Sequence, residues 1–458
     1  MEREDISLIL EAQKKYFASG KTLDPSFRVE ILKKLRSLII AHEKEIVDAL
    51  WKDFRKPEFE VIGTESRFVI SEISYLIRKI KKWSKPRRVP TLLVNFLSSS
   101  YIAPQPYGQV LILSPWNFPF QLAFMPLVGA LAAGNCAILK TSQQVPATSD
   151  VMQKILSHFP KELVAFVDGE HSVSSFLLEQ RFDYIFFTGS TNVGKMIMKS
   201  AAEHLTPVSL ELGGKNPCIV AADARLDLAA KRIAWGKFIN AGQLCIGPDY
   251  LLIDRKVSDR FIELMTLEIN SFYGKDPSSS PDFARVINAK SVRRLSELMK
   301  CGEIVTGGNV DEQSCYVAPT IIRNVSPDDP IMKEEIFGPV LPIIEFTEFS
   351  EVYPIIERNP MPLAAYLFSE SRKQIREFMN RTRSGTVAIN DTVMQIASHH
   401  LPFGGVGTSG MGSYHGKKSF ETFSNMRPVL VKSTILDIWL RYPPYKKYKT
   451  RIVSWLMS

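Results

Sequence analysis

The sequence predicts an α/β protein with a doubly wound parallel sheet, a second α/β domain and a smaller additional element. From Val110 onward, short apolar runs alternate with stretches long enough for crossover helices, and the alternation resumes after Asn216. The length of 458 residues fits two large domains or three smaller ones. A content of 45% hydrophobic and 23% charged residues is ordinary for a globular protein.

The predicted elements begin with a helical segment. Residues 1–85 predict amphipathic helices, because apolar residues recur at helical spacing among Lys, Arg and Glu. Pro86 and Pro90 end this pattern, and residues 91–106 are predicted to be extended. Strands of the first sheet are predicted at Val110–Leu113, Ala137–Lys140, Leu163–Val167, Tyr184–Thr188 and Val208–Leu212.

The second domain is predicted to contain strands Pro217–Val220, Tyr250–Asp254, Val340–Glu345 and Thr386–Asn390, with helices over about 226–241 and 257–270. The most apolar window of the chain, Gln121–Leu139, is interrupted by Pro126 and Gly129. Because a membrane span needs about 20 apolar residues, this window predicts a buried helix followed by a strand.

The five cysteines are scattered without a CxxC pair, which indicates a reducing compartment. No group of Cys and His residues has the spacing of a metal site, so no metal is predicted. The acidic N-terminus is unlike a signal peptide. We therefore expect a cytoplasmic protein.

The net charge of +9 is concentrated in two segments, residues 78–88 and 441–451, which together hold twelve Lys and Arg residues and no acid. The remainder of the chain is nearly neutral. An extended nucleic-acid-binding face would need a broader basic surface, so no nucleic-acid partner is expected.

Two glycine motifs suggest phosphate binding. Gly189-Ser-Thr-Asn-Val-Gly-Lys195 resembles a Walker A loop, but Met196 replaces the Ser or Thr that holds Mg²⁺. A P-loop nucleotide phosphotransferase is therefore a disfavoured alternative, although a phosphate at a helix N-terminus remains physically sensible. Gly405–Gly410 matches GxGxxG, but it lies late in the chain and has no acidic residue about 20 positions further on. It is therefore interpreted as a flexible glycine-rich loop.

Four further segments carry residues suited to catalysis. They are SPWNFP at 114–119, ELGGKNP at 211–217, GQLC at 242–245 and EEIFGP at 334–339. Together they offer a cysteine nucleophile, a side-chain amide and carboxylates. With FTGSTNVGK and PFGGVGTSGMGSYHGKKSFETFS, they resemble the aldehyde dehydrogenase superfamily, in particular its class 3 branch for fatty and aromatic aldehydes.

This resemblance covers nearly the whole chain and implies a domain division. The dinucleotide-binding domain would comprise 1–86 and 108–211, the catalytic domain 212–400, and the bridging and oligomerisation element, including the C-terminal tail, 87–107 and 401–458. The resemblance also implies a homodimer that oxidises medium-chain, long-chain or aromatic aldehydes to carboxylic acids.

The resemblance further assigns catalytic roles. Cys245 would be the nucleophile, forming a thiohemiacetal and then an acyl-thioester. The Asn117 amide and the Cys245 backbone N–H would form the oxyanion hole. Glu211 would be the general base that activates water, although Glu335 is a second candidate for that role.

The implied cofactor is NAD or NADP. Its binding residues would be Lys140, Gln143, Gly189, Ser190, Gly194, Glu335 and Phe337. Gln143 stands where class 3 sequences usually have a glutamate that binds the ribose hydroxyls. Because Gln143 lacks the charge that would repel a 2′-phosphate, NADP⁺ is predicted to serve at least comparably to NAD⁺.

An apolar acyl pocket is expected around Trp116 and Leu244, and His415 lines the substrate tunnel or has a structural role. The aromatic and basic tail from Trp439 suits a dimer contact and, less favourably, weak peripheral contact with a membrane. A coenzyme A-acylating dehydrogenase and a non-enzymatic binding protein remain alternatives.

Overall fold

The computed structural model describes residues 3–435, 437 and 439–456. Five helices precede the first strand: α1 (Arg3–Ala18), α2 (Pro25–Ala41), α3 (Glu43–Phe54), α4 (Glu58–Val61) and α5 (Arg67–Trp83). Between α4 and α5, residues Ile62–Ser66 form a π-helical turn. The apolar faces of α2, α3 and α5 are buried in the main core, so the expectation of amphipathic helices over 1–85 is confirmed.

The first large sheet has six strands in the order β17-β7-β6-β3-β4-β5. Its members are β3 (Gln109–Leu113), β4 (Cys136–Lys140), β5 (Val164–Phe166), β6 (Tyr184–Thr188), β7 (Val208–Glu211) and β17 (Gly410–Met411). All pairs are parallel except β17 with β7. Crossover helices connect the parallel strands: α6 (Pro119–Ala133), α7 (Pro146–Leu156), α8 (His171–Glu179) and α9 (Thr191–Glu203). The predicted doubly wound sheet is thus confirmed.

The second sheet has seven strands in the order β10-β13-β14-β9-β8-β15-β16. They are β8 (Pro217–Val220), β9 (Tyr250–Asp254), β10 (Glu303–Thr306), β13 (Thr320–Arg323), β14 (Val340–Phe346), β15 (Ala364–Phe368) and β16 (Thr386–Ile389). The helices of this half are α10 (Leu226–Phe238), α11 (Ser258–Tyr273), α12 (Ala289–Leu298), α13 (Val352–Glu357) and α14 (Arg372–Arg381). Strands β10, β13 and β15 were not among the strands predicted from the sequence.

A third, antiparallel sheet consists of β1 (Arg87–Val89), β2 (Ser98–Pro106) and β18 (Ser424–Lys432). β18 pairs with β2 along nine residues and so joins the two distant segments. Two-residue strands β11 (Val310–Asp311) and β12 (Tyr316–Val317) form a small ribbon. The remaining helices are α15 (Lys417–Thr422) and α16 (Lys447–Leu456). Leu436, Ile438, Met457 and Ser458, all in the predicted bridging element 401–458, lie outside the described residues.

The helix α6 occupies the centre of the fold. All fifteen of its residues are buried, and it packs on both α5 and α15. The expectation of a buried helix followed by a strand is confirmed here, since β4 follows after a turn at Gly134. Among the helices of the described chain, none is long and apolar enough to cross a membrane.

Candidate active site

The candidate nucleophile follows a left-handed turn that ends α10. Asn240, Ala241 and Gly242 all have positive φ angles, of 52°, 51° and 71°. Each non-glycine residue in this conformation costs about 1–2 kcal/mol. A Cβ at Gly242 would lie 2.3 Å from the Gly338 carbonyl oxygen, so only glycine fits at this position.

Side-chain amides hold this turn in place. Asn216 donates from Nδ2 to the carbonyls of Cys245 at 2.8 Å and Gly247 at 3.0 Å. Gln243 donates from Nε2 to the carbonyls of Asn240 and Arg285, each at 3.0 Å. The strained conformation therefore persists because buried hydrogen bonds surround it.

Asn117 lies beside the same turn, in the loop between β3 and α6. The side-chain Nδ2 of Asn117 donates to the main-chain carbonyl of Gln243 at 3.1 Å. The main-chain carbonyl of Asn117 accepts from Asn240 Nδ2 at 2.8 Å. A side-chain amide carries two N–H groups. One hydrogen of the Asn117 amide thus orients the side chain, and the second can serve a substrate oxygen.

Asn117 and Cys245 both line a cavity of about 260 Å³. Its lining includes eight of the residues singled out from the sequence: Trp116, Asn117, Gly189, Ser190, Glu211, Cys245, Glu335 and Phe337. They come from the ends of β3, β6 and β7, from the Cys245 turn and from the loop before β14. Tertiary folding thus brings five separate chain segments to one small space.

Glu211 is the last residue of β7, and its side chain is buried. Neither of its carboxylate oxygens has a hydrogen-bond partner among the described residues. Burial raises the pKa of Glu211 well above its ordinary value. A carboxyl group with a raised pKa and two unused acceptor oxygens in a cavity is suited to proton transfer.

Glu335 is packed against the glycine pair that follows β7. A Cβ at Gly213 would lie 2.0 Å from Glu335 Oε2, and the backbone of Gly214 hydrogen-bonds to the Glu335 carboxylate. Burial raises the pKa of Glu335 to about 8. A side chain at position 213 would therefore displace the Glu335 carboxylate from its present position.

A buried ion pair fixes the loop that carries Glu335. Lys215 Nζ lies 2.5 Å from Asp249 Oδ2 and also donates to the carbonyls of Ile331 and Glu334. Asp249 Oδ1 accepts from the Ile336 N–H at 2.9 Å. The pair therefore bonds to this loop on both sides of Glu335.

Burial raises the pKa of the Cys245 thiol, and the carboxyls of Glu335 and Glu211 raise it further. Hydrogen bonds from the backbone N–H groups of Cys245 and Ile246 act in the opposite direction. These N–H groups point at the sulfur, so they are also available to an oxygen that develops beside it.

A second cavity of about 500 Å³ adjoins the first, since Ser190, Gly213 and Glu335 line both. The N-terminus of α9 opens here, and its N-cap Ser190 makes no side-chain cap bond. A Cβ at Gly189 would lie 2.4 Å from the Phe187 ring. A glycine turn, free backbone N–H groups and a helix N-terminus fit the pyrophosphate of a dinucleotide.

The other three predicted cofactor residues are spread along this side of the sheet. Lys140 ends β4, and its Nζ donates to the Thr141 carbonyl at 3.1 Å. Gln143 is exposed in the following loop. Gly194 is buried in α9, where a Cβ would lie 2.7 Å from Leu212, so this glycine brings α9 close to the sheet.

The predicted acyl-pocket residues occupy different environments. Trp116 lines the 260 Å³ cavity and contacts Phe337 edge-to-face, with ring centroids 5.4 Å apart. Leu244 is buried in the main core. His415 is buried and stacks on Phe403, and burial lowers its pKa to about 4. A neutral imidazole is therefore expected at neutral pH.

The supporting residues around the turn escaped the sequence analysis. Lys215 and Asn216 stood within the ELGGKNP segment, but nothing in one sequence indicates that their side chains reach Asp249 and Cys245. Asn240 and Gln243 shortly precede the nucleophile. Two polar side chains in an otherwise apolar and small-residue segment were the available signal that hydrogen bonds hold this turn. Among the described residues, no group of three or more His, Cys, Asp and Glu side chains could hold a metal ion.

Comparison with known proteins agrees with this geometry. A model of the aldehyde dehydrogenase family matches residues 1–429. The 4,4'-diaponeurosporen-aldehyde dehydrogenase of Staphylococcus aureus (strain NCTC 8325 / PS 47) is 43% identical over 95% of this chain and 96% of that protein. A dog protein, "Aldehyde dehydrogenase, dimeric NADP-preferring", is 42% identical over 97% of this chain and 99% of that protein.

The fold agrees as well. The solved structure "Substrate bound state of Staphylococcus Aureus AldH" superimposes with a TM-score of 0.96 at 41% identity, covering 99% of each chain. Proteins named as family 3 aldehyde dehydrogenases are among the relatives. The sequence, the fold and the cavity together place this chain in the aldehyde dehydrogenase family, as an enzyme that oxidises aldehydes with NAD or NADP.

Proposed function

We propose that this enzyme oxidises apolar aldehydes to free carboxylic acids through a thioester on Cys245. The observation that carries the proposal is the shared cavity of Cys245, Asn117 and Glu211. These three residues supply a nucleophile, an oxyanion donor and a base.

The first half of the reaction forms the acyl-enzyme. The thiol of Cys245 loses its proton to a cavity carboxylate, and the sulfur adds to the aldehyde carbon. The second N–H of the Asn117 amide and the backbone N–H of Cys245 donate to the oxygen that becomes negative. Bound NAD(P)⁺ supplies the acceptor for the hydrogen and electron pair that leave this carbon. The acyl group remains on sulfur as a thioester.

The second half releases the acid. Glu211 takes a proton from water, whose oxygen adds to the thioester carbon. The carbon–sulfur bond then breaks, the acid leaves, and the sulfur regains a proton. Glu211 is assigned to this step because its buried oxygens are unpaired among the described residues. Glu335 and Phe337 are assigned to the cofactor's nicotinamide end, which is supported by their place at the junction of the two cavities.

The remaining cofactor residues are assigned by position. Gly189, Ser190 and the α9 helix that contains Gly194 would hold the pyrophosphate, and Lys140 with Gln143 the adenosine ribose. The uncharged Gln143 supports use of NADP⁺ at least as well as NAD⁺. The name of the dog relative, "Aldehyde dehydrogenase, dimeric NADP-preferring", agrees with this assignment.

Medium-chain, long-chain or aromatic aldehydes are the proposed substrates. Trp116 supplies an apolar wall to the cavity, and the S. aureus relative is named for 4,4'-diaponeurosporen-aldehyde. Contact of Leu244 or His415 with the acyl chain stays a prediction.

The assembly is proposed to be a cytoplasmic homodimer. We also propose the three-domain division predicted from the sequence. In it, the three-stranded sheet of β1, β2 and β18 is the oligomerisation element. In the tail, Trp439 and Tyr445 are 56% and 71% exposed. We assign this surface to the dimer partner rather than to a membrane. Sedimentation velocity tests the dimer, and recovery of the protein with anionic vesicles would instead favour the membrane.

The function is tested with a chain-length series of aldehydes, following reduction of NAD⁺ and NADP⁺ without coenzyme A. Steady turnover that Cys245→Ala abolishes is the expected result. A single burst that stalls, and that resumes when coenzyme A is added, would contradict hydrolysis and identify an acylating enzyme. Absence of any reduction across the series would contradict the proposal as a whole.

A further inference from the structure

Three charged side chains that do not line the cavity contact the segments carrying Asn117 and the Cys245 turn. They are Lys56 after α3, Glu60 in α4 and Glu65 in the π-helical turn. Lys56 Nζ is 2.6 Å from Glu65 Oε1, and both side chains are fully buried. Glu65 lies within this π-helical turn, and its side chain points into the core.

The Lys56–Glu65 pair anchors the chain next to Asn117. Glu65 Oε2 accepts from the Gln121 N–H at 2.7 Å, in the first turn of α6. Lys56 Nζ lies 3.6 Å from the centroid of the Phe118 ring. The residue following Asn117 and the helix beyond it are thus held by one buried pair.

Glu60 makes the corresponding contact with the nucleophile turn. Its Oε2 accepts from the backbone N–H of Asn240 at 2.9 Å. Asn240 has left the hydrogen-bond ladder of α10 for a left-handed conformation, so its N–H needs a new acceptor. The same residue donates from Nδ2 to the carbonyls of Asn117 and Gln243.

We propose that Glu60 is a positioning residue for thioester formation. By fixing the Asn240 N–H, it sets the orientation of a residue that bonds to both the Asn117 segment and the turn before Cys245. The Lys56–Glu65 pair holds the segment that follows Asn117. Glu60 holds the turn that precedes Cys245. This inference rests on the proposed function, in which both groups act on the same aldehyde carbon.

The test compares Glu60→Ala, Glu60→Gln and Glu60→Asp with the wild type by stopped-flow measurement of the first turnover. Gln keeps an acceptor oxygen at the same place, Asp withdraws it, and Ala removes it. We expect thioester formation to slow by about 100-fold in Glu60→Ala, the loss that displacement of reacting groups by about 1 Å can cause. Glu60→Gln is expected to restore most of the rate, while cofactor Kd stays unchanged in all three variants.

Glu45→Ala is the matched control, because Glu45 forms a surface ion pair with Lys154. If Glu60→Ala does not fold, Glu60→Asp decides the question, since it keeps the charge and shortens the side chain. A folded Glu60→Ala, or in its absence Glu60→Asp, that forms the thioester at the wild-type rate would overturn the proposal. So would a Glu60→Gln variant as slow as Glu60→Ala.

A measurement without aldehyde separates this inference from the proposed function. The rate at which iodoacetamide alkylates Cys245, followed by mass spectrometry of its peptide, reports the position and environment of the sulfur directly. We expect this rate to change in Glu60→Ala and to return in Glu60→Gln, even if the wild type oxidises none of the aldehydes tested. An unchanged alkylation rate in Glu60→Ala would contradict the positioning role.

Discussion

The side-chain amide of Asn117 donates to the main-chain carbonyl of Gln243 at 3.1 Å. This bond joins the loop after β3 to the residue two positions before Cys245. The proposed oxyanion donor is therefore hydrogen-bonded directly to the turn that carries the proposed nucleophile.

Asn117→Ala is expected to lower kcat/KM by about 10²–10³, the usual loss for one oxyanion donor. Cofactor affinity should be little affected, since the backbone at the α9 N-terminus is intact. Steady-state kinetics and a cofactor titration by fluorescence check this. Asn216→Ala is a useful comparison, because Asn216 bonds to the Cys245 carbonyl and does not line the cavity.

Glu211→Gln is expected to lower the steady-state rate by about 100-fold or more while a burst of NAD(P)H remains. The reason is that Gln cannot accept the proton of the attacking water. Addition of the sulfur does not need Glu211, because the ionised form of Glu335, which becomes populated as the pH approaches 8, can accept the thiol proton. Rapid-quench trapping of the acyl-enzyme checks the outcome. Loss of the burst together with turnover would move Glu211 to the first half of the reaction.

Gln143→Glu is expected to lower kcat/KM for NADP⁺ by about tenfold, or about 1.4 kcal/mol, with a smaller change for NAD⁺. A carboxylate here would repel the 2′-phosphate and compete for Lys140. Side-by-side kinetics with both cofactors provide the measurement, and Gln144→Glu is the neighbouring control. A wild-type enzyme with a strong preference for NAD⁺ would contradict the argument from Gln143.

The pKa of Glu335 predicts a pH dependence of stability. Burial raises this pKa from 4.5 to about 8, so the folded protein holds a proton that the unfolded chain releases in this range. The free energy of unfolding should therefore fall as pH rises from about 4.5 to 8. Glu335→Gln cannot ionise, so its Tm should exceed that of the wild type more at about pH 8.5 than at about pH 5. Glu345→Gln, at a surface ion pair with Arg255, should show no such trend.

Gly242→Ala is expected to destabilise the protein by about 2–4 kcal/mol, combining left-handed strain with the clash against the Gly338 carbonyl. Activity of the folded fraction should also fall, since the turn carries Cys245. Gly63→Ala is the control, because a Cβ at Gly63 meets no atom within 4 Å. Thermal melts and burst amplitudes measure both effects, and equal Tm values for the two variants would refute the strain argument.

Much of the fold was determined by the sequence alone, because local periodicity is a property of neighbouring residues. Apolar runs and helical spacing identified strands β3 to β9 with boundaries within one or two residues. The motifs around Cys245, Asn117 and Glu211 were recognisable for the same reason, since each is a short contiguous segment. The strand β15 was missed because its apolar run was not distinguished from the helical stretches around it.

The side chains that support the site are identifiable only in the folded protein. Glu60 and Asn240 are 180 positions apart in the chain, and so no local pattern relates them. The same holds for Asn216 with Cys245, and for the burial that raises the pKa of Glu211. Hydrogen bonds and desolvation depend on distances in space, which sequence spacing does not encode until the sheets and α6 have packed together.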